Sequence, residues 1–93
     1  MIVGSDAHDL GRKLYAASEH VGQRVAFKVD PSKMSATICN RTQLPAPMLT
    51  MHGEADVVAQ LIQSYHQWGE AIIIGMYNAD GLCQFWIEQS DPD

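Results

Sequence analysis

Four histidines, two cysteines and eleven carboxylates are the residues of this 93-residue chain with the most chemistry to offer. Their spacing decides what that chemistry could be. His8, His20, His52 and His66 lack the i, i+4 pairing that sets two imidazoles on one helical face around a zinc ion, and no Cys-x-x-Cys occurs. A zinc set drawn from His52, His66 and Cys83 has no spacing to support it. Cys39 would serve as a nucleophile only with its thiolate stabilised by a cation such as Arg24 or Arg41. The simpler reading is a small neutral surface residue. No Gly-x-Ser-x-Gly elbow and no glycine-rich phosphate loop is present. The residues therefore point away from an enzyme, with no metal and no cofactor expected.

Asp6 and His8 need separate treatment, because they lie within Gly4-Ser5-Asp6-Ala7-His8. This segment resembles the Gly-Ser-Asp-Ala-His stretch of the polymerase-and-histidinol-phosphatase family, whose Asp and His bind catalytic metals. The resemblance implies a small metal-dependent hydrolase-like protein centred on Asp6 and His8. It covers five residues. In that family the stretch comes late in a large barrel, after other metal-binding motifs that this chain lacks. A metal needs three or four donors converging from different elements. The plainer expectation is a helix cap at Asp6 with an exposed imidazole in the first turn.

Patterning supplies the elements that must hold these residues. A first helix is expected over residues 6–21, capped by Ser5 or Asp6. Asp6 and Asp9 lie at the positive end of its dipole, and Ala7, Leu10, Leu14, Ala17 and Val21 form its apolar stripe. Gly11 marks a close helix-on-sheet contact, and Gly22 ends the helix. A hairpin follows, with Val25, Phe27 and Val29 alternating with Arg24, Ala26, Lys28 and Asp30. Asp30-Pro31-Ser32-Lys33 suits a type I turn, after which Met34, Ala36 and Ile38 point inward. The hairpin's outer face thus gathers Arg24, Lys28 and Arg41.

Residues 43–48 read as a loop and 49–52 as a short third strand. A second helix is expected over 54–68, with Val58, Leu61, Ile62, Tyr65 and Trp68 on one face and Gly69 at its end. The last unit is a hairpin of residues 71–77 and 82–88 around Asn78-Ala79-Asp80-Gly81. Ile72, Ile73 and Ile74 in succession mark a central strand covered on both faces. Phe85 and Trp86 are adjacent, so their rings leave the last strand by opposite faces. One of them is a candidate interface anchor, and an apolar sheet face around the pair would serve a homodimer. Residues 90–93 read as a frayed tail. The expected whole is one α+β domain over 1–93, an antiparallel sheet of about five strands in the order αβββαββ, with both helices on one face.

Charge is divided unevenly along this chain. All six Lys and Arg lie at or before Arg41, against four acids, while the remainder carries seven acids and no cation. The two parts, +2 and −7, make the net charge of −5. The charged fraction of 18% is below the usual ~25%, so the surface is rich in neutral groups. Glu54, Asp56, Glu70, Asp80 and Glu88 are then the expected face for a basic protein partner, since complementary fields steer encounter. Direct nucleic-acid contact through Arg24, Lys28 and Arg41 is the weaker alternative, for want of an exposed aromatic beside them.

The opening residues carry no basic n-region, and the longest apolar run, 71–77, falls far short of the ~20 residues that span a bilayer. A cytoplasmic protein with free thiols and no membrane partner is the expectation. In size, acidity and lack of motifs the chain is similar in type to small phage-encoded inhibitors of bacterial defence, such as anti-CRISPR proteins. That likeness implies an acidic, non-enzymatic inhibitor or regulator of a nucleic-acid-handling complex.

Overall fold

A computed structural model describes residues 1–21, 24–39, 51–52, 55–79 and 82–89. Its elements run β1 (Ile2–Val3), α1 (Ala7–Val21), β2 (Val25–Asp30), β3 (Ser35–Cys39), β4 (Met51–His52), α2 (Ala55–Trp68), β5 (Ile72–Ala79) and β6 (Leu82–Gln89). The strands form one sheet in the order β1-β3-β2-β5-β6-β4, antiparallel at each pairing. Both helices pack on one face. The α+β architecture is the one the patterning predicts, with the two-residue strand β1 added at the edge before α1. No helix among the described residues is long and apolar enough to cross a membrane.

The sheet alternates as the period-2 pattern requires. Val25, Phe27 and Val29 of β2, Ile72, Ile74 and Met76 of β5, and Phe85 of β6 meet Leu10, Leu14, Val58 and Ile62 of the helices in a single core. Each such side chain contributes about 1.5–3 kcal/mol by leaving water. Strand β5 lies between β2 and β6, and Ile72, Ile73 and Ile74 are all buried, so the central-strand expectation holds. The β2–β3 turn closes with Lys33 N–H donating to Asp30 O at 3.2 Å, while Asp30 Oδ1 accepts from Ser32 Oγ at 2.6 Å. That hydroxyl, more than the backbone donors of the turn, holds the Asp30 carboxyl below the usual carboxylate range.

Three expectations are corrected by the packing. Gly11 faces α2 rather than the sheet: a Cβ there would lie 2.9 Å from Ala55 O and 3.0 Å from Ala59 N. The missing side chain is what lets the two helices approach. Trp68 continues the stripe of α2 in sequence but is 67% exposed, its ring edge-on to Tyr65 with centroids 5.2 Å apart. The stripe outruns the sheet beneath it. Ile38 pairs with Phe27 on the helix side of the sheet yet is 60% exposed. The loop expected over 43–48, the turn glycines Gly22 and Gly81, and the tail lie outside the described residues.

Candidate functional site

A groove of about 780 Å³ runs along α2, between the start of α1 and the β2–β3 turn. Its wall on α2 is the polar stripe Asp56, Gln60, Gln63 and His66, which recurs at helical spacing over about 15 Å. Ser5, Asp6 and His8 form the rim at α1, and Ala7, Ala59 and Met34 give an apolar floor. Among the described residues no Lys or Arg lines it.

Each rim residue is held by local structure. Asp6 caps α1, its Oδ1 accepting from Asp9 N–H at 2.8 Å, and Asp9 Oδ2 accepts from Ser5 N–H at 2.9 Å. These reciprocal bonds satisfy donors that a helix start leaves open. The Ser5 backbone N–H, followed by the Lys13 ammonium 3.1 Å away, holds the Asp9 carboxyl below its ordinary range. Lys13 is also tied to Val3 O at 2.7 Å, which fastens β1 to the helix. His8 Nε2 lies 3.4 Å from Asp56 Oδ1, bridging α1 and α2 across the end of the groove. At the other end, His66 Nδ1 lies 2.9 Å from Pro31 O. A carbonyl only accepts, so Nδ1 carries the proton and Nε2 is left as the acceptor of the neutral ring.

This collection includes Ser, His and Asp, the residue types of a hydrolytic triad, but not its connections. The Ser5 hydroxyl is oriented to Asp9 Oδ2 at 3.4 Å, and no hydrogen bond joins it to His8 among the described residues. A nucleophile needs its base within hydrogen-bond reach. Among the described residues no three His, Cys, Asp or Glu side chains are grouped to hold a metal. Asp6 and His8 thus sit together at a helix start, with Asp6 engaged as the cap. The groove can accept hydrogen bonds, donate them from two amides, and hold a cation.

The acids expected to form one face are dispersed. Asp56 lines the groove, Glu70 follows the far end of α2, and Glu88 lies on the side of β6 opposite the helices, partly buried. Glu54 and Asp80 lie outside the described residues. Reading charge along the chain missed Gln60, Gln63 and His66; their spacing from Asp56 was the available signal.

The second candidate surface is the helix-free face of the sheet. Register places Lys28, Ile73 and Glu88 in one row across β2, β5 and β6, and Ala26, Gly75 and Trp86 in the next. Arg24 and Lys28 are both exposed there, while Arg41 lies outside the described residues. Phe85 is fully buried under the helices, and Trp86 is only 6% exposed, so neither offers the exposed ring that an interface anchor requires. The reason is Gly75. A Cβ on it would overlap Trp86 Cε2 and Cζ2, so the indole lies flat across β5 where any other residue would lift it. The Arg24 guanidinium stands 6.0 Å from the indole centroid, within cation–π range. Tyr77, one row beyond Gly75 and on the same face, is 38% exposed. Alternation with the inward Ile74 and Met76 was the signal for it. Cys39, on the outward side of β3, is half-buried; Cys83 is buried beneath the helices, which pushes its thiol pKa up. Both thiols are free.

No family model, curated protein or solved structure matches this chain.

Proposed function

We propose that this chain is a small acidic protein-binding module without catalytic activity, which receives a basic segment of its partner in the groove along α2. The observation that carries the reading is the groove's lining: Asp6 and Asp56 with two glutamines over an apolar floor, and no Lys or Arg among the described residues. An arginine entering there can take the place of His8 beside Asp56, since a guanidinium matches a carboxylate with two parallel hydrogen bonds. Gln60 and Gln63 offer amides to the incoming backbone. The rest of the acidic half, Glu54, Glu70, Asp80 and Glu88, contributes through the long-range field. Extended basic surfaces belong chiefly to proteins that hold phosphate backbones. The partner class is therefore a nucleic-acid-handling complex, with this chain as its inhibitor or regulator, acting in the cytoplasm.

Calorimetric titration with a short alternating Arg–Ala peptide tests this. Affinity falls as salt is raised, Asp56→Lys weakens it at least about fivefold, and reversal of Glu54, Asp56 and Asp80 together to Lys abolishes it. Binding that is insensitive to the triple reversal sinks the reading. So does equal binding of the matching Glu–Ala peptide.

A further inference from the structure

We infer that the helix-free face of the sheet is a second binding surface, and that its ligand is single-stranded nucleic acid. Recognition of an unpaired strand takes two ingredients on one surface: cations that follow the phosphates and a ring on which a base can stack. The structure brings both to the same face. Lys28 projects from β2 and Arg24 from the residue just before that strand, about 13 Å apart, a span that follows an extended backbone. Tyr77 of β5 lies on that face and is partly exposed, and it and Arg24 each stand one residue beyond the Val25–Met76 pair. Exposed Gln84 of β6 is directly opposite Tyr77 and exposed Thr37 of β3 opposite Lys28, so hydrogen-bonding side chains flank the row on both sides.

A third observation is independent of the charge. Trp86 Nε1 is a buried donor with no hydrogen-bond partner, the indole lying across Gly75 with Arg24 over its ring. Leaving such a donor unsatisfied costs its full desolvation penalty, more than an ordinary hydrogen bond contributes on balance. With under 1 Å² of Trp86 Nε1 exposed, a phosphate or base oxygen becomes its acceptor only where binding shifts the groups that cover it. Among the described residues the acids on this face are Glu88, partly buried in the row of Lys28, and Asp30 at the turn, whose carboxylate is engaged by Ser32. The end that holds Arg24, Tyr77 and Gln84 has no described acid in its row, and the stacking site belongs there. The ligand class is a short strand read without base sequence, since neither cation is held in a fork that would select one base edge.

The experiment is fluorescence anisotropy of a labelled oligothymidylate of about ten nucleotides at about 50 mM salt, with the Trp68→Phe variant added so that indole emission reports Trp86 alone. Binding is expected with quenching of Trp86 and a log–log salt slope near −1.4, from about 0.7 for each of two phosphates. Arg24→Glu with Lys28→Glu weakens it at least about tenfold and flattens the slope, and Tyr77→Ala weakens it about 5- to 150-fold, the range for one stacked base. These three side chains are exposed, so the variants keep the fold, which circular dichroism checks. Asp56→Lys in the groove leaves the Trp86 quench in place. Absence of binding overturns the proposal, as does binding indifferent to Arg24, Lys28 and Tyr77. Displacement of the oligonucleotide by an equal concentration of polyglutamate overturns it too, and assigns the face to an acidic protein.

Discussion

Gly75 and Trp86 form the residue-scale arrangement on which the helix-free face depends. The indole occupies the space that a side chain at position 75 would fill. Gly75→Ala is therefore expected to destabilise the fold by about 1–3 kcal/mol, as overpacking does. Urea unfolding measures this, and the emission of Trp86 shifts to the red as the ring is lifted toward water. Adjacency of Phe85 and Trp86 announces opposite faces in the sequence itself. What the sequence does not show is that Gly75 stands beside Trp86, because cross-strand register depends on how the β5–β6 hairpin closes.

Two exposed carboxylates at this scale make stability depend on pH at the acid end. Asp9 is held low by the Ser5 N–H and then Lys13, and Asp30 by the Ser32 hydroxyl. A carboxylate whose folded pKa is depressed stabilises above its unfolded value and loses that contribution as pH falls through the folded one. Stability is thus expected to fall below about pH 4, and the double variant Asp9→Asn, Asp30→Asn to show a shallower fall in thermal melts. Equal slopes for the two proteins contradict this assignment. The raised Cys83 thiol has the opposite sign: its contribution holds below the unfolded pKa and is lost as pH rises through the folded one.

At the scale of elements, the approach of α1 to α2 through Gly11 and Ala59 sets the width of the groove. A bulkier residue at 11 must push the helices apart. Gly11→Leu is expected to cost about 1–3 kcal/mol and to move the amides of Gln60 and Gln63 in a heteronuclear spectrum. The glycine is visible in the sequence as an interruption of the α1 stripe; its partner is not, because a stripe tells only that a face is buried. Trp68 gives the same lesson in reverse. Its spacing from Leu61 and Tyr65 is helical, yet the core below ends before it. Ile62→Ala is expected to cost about 2–5 kcal/mol and Trp68→Ala under about 1, measured by chemical denaturation.

Across the whole molecule, one layer of helices and one sheet leave two unlike surfaces, an acid-lined groove on the helix side and, on the other, a face that carries Arg24, Lys28 and Tyr77 beside Glu88 and Asp30. Much of this fold was legible in the sequence. The period of two, the period of 3.6 and the turn at Asp30-Pro31-Ser32 dictate the hairpins, the helices and the shared core. The groove was not legible, because it is assembled from three separated segments. The charge division did not become a surface either. Asp56, Glu70 and Glu88 follow one another in sequence but are set at the start of a helix, beyond its end and on the opposite side of the sheet. Position along the chain fixes net charge per segment; only packing decides which charges share a field.

In the proposed mode of binding, the groove along α2 takes a basic segment. It is tested most directly by backbone amide shifts of the labelled chain during titration with the alternating Arg–Ala peptide. Saturable shifts are expected at Asp56, Gln60, Gln63 and His66, needing at least about fivefold more peptide in Asp56→Lys, with Ala26, Lys28 and Ile73 of the sheet unmoved. Shifts centred on the helix-free face, or none that saturate in the groove, would contradict it.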